Sequence, residues 1–192
     1  MQNIILDGFP EEYEGYLIRT DFRIGMQISE ALNDVDLAEP EKLMTALRLL
    51  YGNGIPSDPE LAESGLRWFM SGGAPDEEHI SDGTPTFGDP TFGEPTFDFE
   101  QDNRLVYSAF RARFGIDLVR ERLHWFAFLA MLGDLGGCSL SDIIGIRGTD
   151  LSKLGDEQRS EYAKLQARYR IKPQISEADR ARIAEFEELI GG

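Results

Sequence analysis

Two histidines and one cysteine are the side chains of this sequence best suited to acid–base, nucleophilic or metal chemistry. His79 lies in an acidic, proline-rich stretch, and His124 lies beside Trp125 in an apolar stretch. Cys138 has no histidine near it in the sequence. The sequence contains no His-x-x-x-His or Cys-x-x-Cys spacing, and no glycine loop of the kinds that hold phosphates or dinucleotides. It therefore predicts no metal site and no cofactor.

The role of His124 has two interpretations. As a general base, it would need a positioned partner, which the sequence does not show. Its neighbours Leu123 and Phe126 favour instead a core imidazole that is hydrogen-bonded to a backbone carbonyl or to Asp117. A reactive thiolate at Cys138 is the weaker alternative. We therefore expect that the protein is not an enzyme.

Helical periodicity covers most of the chain and must position these residues. Apolar stripes predict three helices in the first third, which begin at Thr20 or Asp21, at Pro40 and at Asp58-Pro59. Two short apolar runs, 4–6 and 16–18, predict a small β-hairpin. Further helices are predicted from Asp98 to Phe114, from Leu118 to Leu132 with Asp117 as cap, from Ser139 or Ser141 to Arg147, from Asp156 to Arg170, and from Ser176-Glu177 to Ile190.

A repeat of five residues divides the chain. Residues 72–96 are rich in Gly, Pro, Thr and acids, and Pro-Thr-Phe recurs from Pro85 onwards. Proline at every fifth position forbids a helix, and the one-signed charge opposes independent folding. We predict a mainly α protein in which two small helical lobes, 1–71 and 97–192, are joined by a flexible, extended acidic linker over 72–96.

The charge is strongly acidic and unevenly distributed. The 192 residues carry a formal net charge of −16. By segment it is −8 over 1–71, −9 over 72–103 and +1 over 104–192. This balance argues against binding to nucleic acid or to an anionic membrane, both of which need basic patches. With one cysteine, no signal peptide and no long apolar run, we expect a cytosolic protein.

The phenylalanines of the repeat have two interpretations. Phe87, Phe92 and Phe97 recur every five residues in a stretch that cannot bury them by itself. Spaced aromatic anchors on an extended segment suit docking into an apolar groove of a partner. Alternatively, tandem duplication lengthened a tolerant linker, or these rings pack back on their own lobes. The sequence leaves both open.

Short motifs spread over most of the chain carry a resemblance to a known family. They are Thr20-Asp21-Phe22-Arg23 and Trp68-Phe69 in the first half, and Phe97-Asp98-Phe99-Glu100, Tyr107-Ser108-Ala109-Phe110, Gly115-Ile116-Asp117-Leu118, Leu123-His124-Trp125 and Ile143-Ile144-Gly145-Ile146-Arg147 in the second. These motifs resemble those of bacteriophage tail-assembly chaperones of the "phage gp fifteen" type. The Pro-Thr-Phe repeat and the helix after Lys172 have no counterpart in the resemblance.

The resemblance implies a non-enzymatic role in phage tail assembly. Proteins of this kind are encoded beside the tape-measure protein and are thought to coat it while tail-tube subunits assemble. The expected partners are therefore the tape-measure protein and the tail-tube protein, with weak self-association of the chain. The expected location is the host cytoplasm, with the protein absent from the mature virion.

Two sets of aromatic and apolar residues are candidates for these roles. The candidate partner-binding residues are Phe87, Phe92, Phe97, Phe99, Tyr107, Phe110 and Trp125. The candidate core residues are Ile116, Leu118, Leu123, His124 and Phe128. The alternative function is an acidic mimic of DNA that inhibits a host DNA-binding protein. The net charge favours it, but many of the carboxylates lie in the predicted linker.

Overall fold

Helices make up most of the structure, and one short β-hairpin lies near its beginning. The computed structural model describes residues 4–74 and 96–190. In chain order the elements are α1 (Ile4–Asp7), β1 (Glu12–Tyr13), β2 (Tyr16–Leu17), α2 (Phe22–Asn33), α3 (Glu39–Tyr51), α4 (Pro59–Met70), α5 (Asn103–Phe114), α6 (Trp125–Gly133), α7 (Ser139–Gly148), a 3-10 turn (Leu151–Lys153), α8 (Asp156–Tyr169) and α9 (Glu177–Ile190). The predicted mainly α fold with a small N-terminal hairpin is confirmed. Within these ranges, no helix combines the length and the apolar sequence needed to cross a membrane.

The hairpin pairs β1 with β2 through a two-residue turn. Tyr13 lies opposite Tyr16, and the turn residues Glu14 and Gly15 both have positive φ, 47° and 82°. Positive φ at both positions is typical of the type I′ turn, whose twist matches that of paired strands. The prediction that residues 4–6 supply the first strand is wrong, because these residues form the helical turn α1.

The helices of the first half begin where the sequence predicts. Asp21 Oδ1 accepts a hydrogen bond from Arg23 N (3.0 Å) at the start of α2. Asp58 Oδ1 accepts from Glu60 N (3.0 Å) at the start of α4. Helix α3 carries Pro40 in its first turn, where the missing N–H costs no intrahelical bond. These three predicted starts are confirmed.

The apolar helix around Trp125 is shorter than the sequence predicts. Helix α6 begins at Trp125, and residues 115–124 before it are not helical. The prediction of a helix from Leu118 is therefore wrong. The residue that caps α6 is His124, whose Nδ1 accepts from Phe126 N at 3.1 Å.

Long-range backbone bonds explain why residues 115–124 are not helical. Phe22 N donates to Leu123 O at 2.9 Å, and Trp125 N donates to Thr20 O at 2.7 Å. The segment thus lies against the start of α2. A helix from residue 118 onwards would have to use these same donors and acceptors within itself. The partners lie about a hundred residues away in the chain, so local periodicity does not reveal them.

Helix α5 also begins later than predicted. Asp98 Oδ1 accepts from Gln101 N (2.7 Å), but in a turn that precedes the helix. Helix α5 starts only at Asn103, after the buried Asp102. The three later helices agree with prediction, and Ser176 Oγ caps α9 by accepting from the third residue of that helix.

One buried core joins the two described ranges of the chain. Its centre is formed by Trp125 and Phe128 of α6, which are almost completely buried. Phe22 of α2 stacks on Phe128 with ring centroids 4.9 Å apart, and Phe110 of α5 stacks on Phe128 at 5.0 Å. Phe69 of α4 stacks on Trp125 at 6.1 Å. Residues before and after the repeat therefore pack against the same helix.

The predicted linker lies mostly outside the described residues. Of the range 72–96, only 72–74 and Thr96 are described, so Phe87 and Phe92 are not. The division into two lobes and a linker, and the docking role of the repeat, therefore stay predictions.

Candidate functional site

An apolar groove lies between α2 and α5. It has a volume of 520 Å³ and is called the α2–α5 groove below; its lining residues are Phe22, Arg23, Met26, Asn103, Arg104, Val106, Tyr107, Leu118 and Val119. Buried Phe22, Val106 and Leu118 form its floor. Tyr107 and Val119 lie at its rim, and Val119 is 76% exposed. An open apolar recess between two helices is suited to receive the apolar face of a third helix.

A close approach of helices α2 and α6 fixes one wall of the groove. A methyl group built on Gly25 would lie 2.7 Å from Cε2 of the Trp125 indole and closer still to two other ring atoms. Only a residue without Cβ lets α2 lie this close to the buried indole. Phe22 and Met26 of the groove lie on either side of Gly25 along α2. The packing on Trp125 therefore sets the position of this wall.

Arg23 ties the loop before α6 to the same wall. Its Nη2 donates to Leu118 O (2.7 Å) and to Glu121 O (2.9 Å). Its Nη1 lies 3.1 Å from the carboxylate of Asp21, which also caps α2. One guanidinium thus joins the helix start to the loop that carries Leu118 and Val119. This places the apolar rim of the groove beside α2.

A buried ion pair fixes the start of α5, which forms the other wall. Arg147 of α7 makes a two-pronged contact with Asp102, with Nη1–Oδ2 at 2.6 Å and Nη2–Oδ1 at 3.0 Å. The two side chains are only 10% and 3% exposed. Arg147 also donates to Thr96 O (3.1 Å) and Tyr169 O (2.6 Å). Because all three nitrogens of the guanidinium donate hydrogen bonds, the burial of this ion pair is tolerated.

Helix α5 is basic in an acidic protein, and it lines the groove with one of its arginines, Arg104. Helix α5 contains Arg104, Arg111 and Arg113 and no Asp or Glu, although the whole chain carries a formal charge of −16. Arg104 lines the groove and is exposed, and it has no ion-pair partner among the residues that the structure describes. The lining of the groove contains no carboxylate. The groove therefore favours an apolar helix that carries acidic side chains along its edge.

A second, wider cleft contains His124. It has a volume of 1370 Å³, and its lining includes both acids and arginines: Asp7, Glu11, Asp21, Arg19, Arg23, Arg120 and Arg122. His124 stacks on Phe9 with ring centroids 4.8 Å apart. Because its Nδ1 accepts from a backbone amide, the ring proton lies on Nε2, which donates to Pro10 O at 2.9 Å. Both ring nitrogens are thus used by the backbone.

Burial sets the ionisation of His124. Desolvation lowers its pKa below the ordinary 6.5, and this effect exceeds the opposite effects of the Pro10 carbonyl and of Glu11. The neutral ring is the form in which Nδ1 accepts and Nε2 donates. In this arrangement the imidazole holds the N-terminal segment and caps α6.

Cys138 lies at the start of α7. Burial acts to raise the pKa of its thiol, but hydrogen bonds from Ser141 and from the Leu140 amide outweigh this effect, so the pKa lies below the ordinary 9.0. Cys138 is the N-cap residue of α7, and its backbone N donates to Ser141 Oγ at 3.1 Å. Across residues 4–74 and 96–190, no cluster of three or more His, Cys, Asp or Glu side chains is arranged to hold a metal ion. His79 lies outside these ranges.

A family model matches most of the chain. The model of the bacteriophage Gp15 protein matches residues 6–171, a range that includes both walls of the α2–α5 groove and ends before α9. The chain belongs to the bacteriophage Gp15 family. The resemblance to a phage family seen in the sequence is thereby confirmed. Searches of curated proteins and of solved structures found no match to the chain.

The structure distributes the candidate partner-binding residues of this Gp15-family chain between core and surface. Phe99, Phe110 and Trp125 are buried in the core. Phe97 is half-buried and packs edge-on against Phe99 at 4.9 Å. Tyr107 is 37% exposed at the rim of the groove. A partner contact at the three buried positions stays a prediction, and it would require the core to open.

The candidate core residues lie around α6 and the loop before it. Phe128 is completely buried, and Leu118 is buried on the floor of the groove. Ile116, Leu123 and His124 are half-buried and pack at the edge of the core.

Several residues of the groove are absent from the sequence-based candidates. Periodicity does not single out Met26, Arg104 and Val119, because their place in the groove depends on contacts between distant segments of the chain. Two signals in the sequence were nevertheless present. Helix α5 has three arginines and no acid, and Val119 is an apolar residue followed by the charged run Arg120-Glu121-Arg122.

Proposed function

We propose that this Gp15-family protein is a non-enzymatic tail-assembly chaperone of a phage or prophage, and that its client is the tape-measure protein. Family membership over residues 6–171 supports a phage protein. The finer role follows from the resemblance of its motifs to tail-assembly chaperones. In this role the protein binds the tape measure in the host cytoplasm while tail-tube subunits assemble, and it is released before the virion matures.

The observation that carries the proposal is the α2–α5 groove. A tape-measure protein is a long helical protein whose apolar stripes are exposed until the tube surrounds them. The groove offers a buried apolar floor with an exposed rim at Tyr107 and Val119. Apolar residues of a client helix at positions i, i+3 or i+4 and i+7 would lie on this floor. Acidic residues beside the stripe would face Arg104.

The excess of acidic residues has a complementary role. Apart from α5, the chain is strongly acidic, with a net charge of −8 over residues 1–71. Several copies bound along one client would repel one another and neighbouring complexes. The basic wall of the groove makes the client contact, while the acidic remainder keeps the loaded client dispersed.

Co-expression with the tape-measure protein of the phage or prophage that encodes this chain tests the proposal. The client should remain soluble and co-purify with the wild-type chain. Val119→Asp places a carboxylate at the exposed rim, so it should reduce co-purification about tenfold or more without unfolding the protein. Leu17→Asp is the matched control, because Leu17 is 73% exposed and lies outside the groove lining. The proposal is wrong if the client aggregates equally with and without the chain.

A further inference from the structure

Helix α9 is the least buried long element of the described chain. Every side chain from Glu177 to Phe186 is exposed. Its first residue contacts the loop between α2 and α3, where Glu177 N donates to Asp36 Oδ1 at 2.9 Å. The family match ends at residue 171, so α9 lies outside the matched residues. Burial in its own core therefore does not explain why this segment is helical.

Helix α9 is acidic and carries two large apolar side chains on one face. Ile183 and Phe186 are three positions apart and therefore lie on one face of the helix. They are 47% and 62% exposed. Over Glu177–Ile190 the helix has five acids and two arginines. A helix with exposed apolar side chains on an acidic background is suited to dock into an apolar groove that has basic walls.

The α2–α5 groove has these complementary properties. Its floor is apolar, its lining contains no carboxylate, and it includes the exposed Arg104 of α5, a helix with a net charge of +3 against −3 for α9. Within one copy the two surfaces do not cover each other, since Phe186 is exposed while the groove is open. We infer that α9 of one copy docks into the α2–α5 groove of a second copy, with Ile183 and Phe186 on its floor.

This self-association would keep both apolar surfaces covered before the client arrives. It uses the groove that the proposed function assigns to the client, so client binding and self-association compete. The docking of α9 does not itself depend on the identity of the client. The competition does rest on the proposed function.

Sedimentation velocity of the full-length chain over a wide concentration range tests the docking. The wild-type chain should sediment faster as its concentration rises. Phe186→Ser on the helix and Val119→Asp on the groove should each weaken self-association about 30-fold, as the loss of a buried anchor does. Ile175→Ser, just before α9, and Leu17→Asp, away from the groove, should associate like the wild type.

A mixing experiment identifies the two surfaces as partners. The Phe186→Ser chain keeps its groove, and the Val119→Asp chain keeps its helix. At a concentration at which the wild type associates but each variant alone is monomeric, the two variants together should form a 1:1 complex. If the two do not associate when mixed, or if the wild-type chain remains monomeric at all concentrations, α9 does not dock in a second copy.

The outcome for the client separates this inference from the proposed function. Phe186→Ser leaves the groove intact, so that chain should still keep the tape-measure protein soluble. A monomeric wild-type chain that still binds the client would overturn the docking of α9 alone. A self-associating chain that never binds the client would overturn the proposed function alone.

Discussion

The close contact between Gly25 and Trp125 gives a sharp prediction about the position of the groove wall. In Gly25→Ala, the new methyl group would overlap the indole of Trp125, which is almost completely buried. Overpacking of a core costs about 1–3 kcal/mol, and the better helix propensity of Ala returns up to about 1 kcal/mol. We therefore expect a net loss of about 1–2 kcal/mol in the free energy of unfolding. For a chain of this size, the melting temperature should fall by roughly 2–8 °C.

Gly145→Ala is the matched control for this prediction. Gly145 also lies inside a helix, α7, but a methyl group built there meets no atom within 4 Å. The same substitution should therefore stabilise the protein by about 0.5–1 kcal/mol. Urea unfolding of the three proteins, followed by circular dichroism, measures both changes. If Gly25→Ala is as stable as Gly145→Ala, α2 does not pack on Trp125 as described, and the position of the groove wall is wrong.

Two further predictions concern the buried ion pair of Asp102 and the half-buried imidazole of His124. Asp102→Asn leaves the charge of Arg147 without its partner, so it should lower the free energy of unfolding in urea by about 3–5 kcal/mol. The control Asp134→Asn, in an exposed pair with a 3.9 Å contact to Arg113, should change the free energy of unfolding by less than about 1 kcal/mol. Equal effects of the two variants would contradict a buried ion pair. Because burial lowers the pKa of His124 below 6.5, the unfolded chain binds the proton first as the pH falls. The contribution of His124 to the free energy of unfolding should therefore fall as the pH is lowered from 6.5 to the native pKa of the ring, and it should stay constant below that pKa. His124→Gln should lack this decrease, and an unchanged pH profile in that variant would show that the ring does not titrate as described.

The features that could be predicted from the sequence are those encoded locally. Asp21 and Asp58 cap helices because an acceptor side chain beside the first amides is sufficient to begin a helix. Ser176 begins α9 in the same way. The interpretation of His124 as a core imidazole hydrogen-bonded to a backbone carbonyl or to Asp117 agrees with its contact to Pro10 O, and the ring lies half-buried at the edge of the core.

The features that could not be predicted depend on contacts between distant segments. Residues 118–124 are predicted to be helical because Asp117 can cap a helix that continues into the apolar residues after Trp125, but Arg23 and the backbone of Phe22 bind their carbonyl groups from about a hundred residues away. The pair of Asp102 and Arg147 is separated by 45 residues and has no local signature. The α2–α5 groove was missed for the same reason, since its walls come from opposite sides of the repeat.

Site-specific photo-crosslinking tests the central claim most directly, namely that the α2–α5 groove holds the tape-measure protein. A photoreactive amino acid is placed at position 119, on the rim, or at position 17, which is equally exposed but outside the groove. Each chain is irradiated in its co-expressed complex with the client. Crosslinks to the tape-measure protein from position 119 and not from position 17 are the predicted result. A complex that forms and crosslinks from position 17 but not from position 119 would contradict the account.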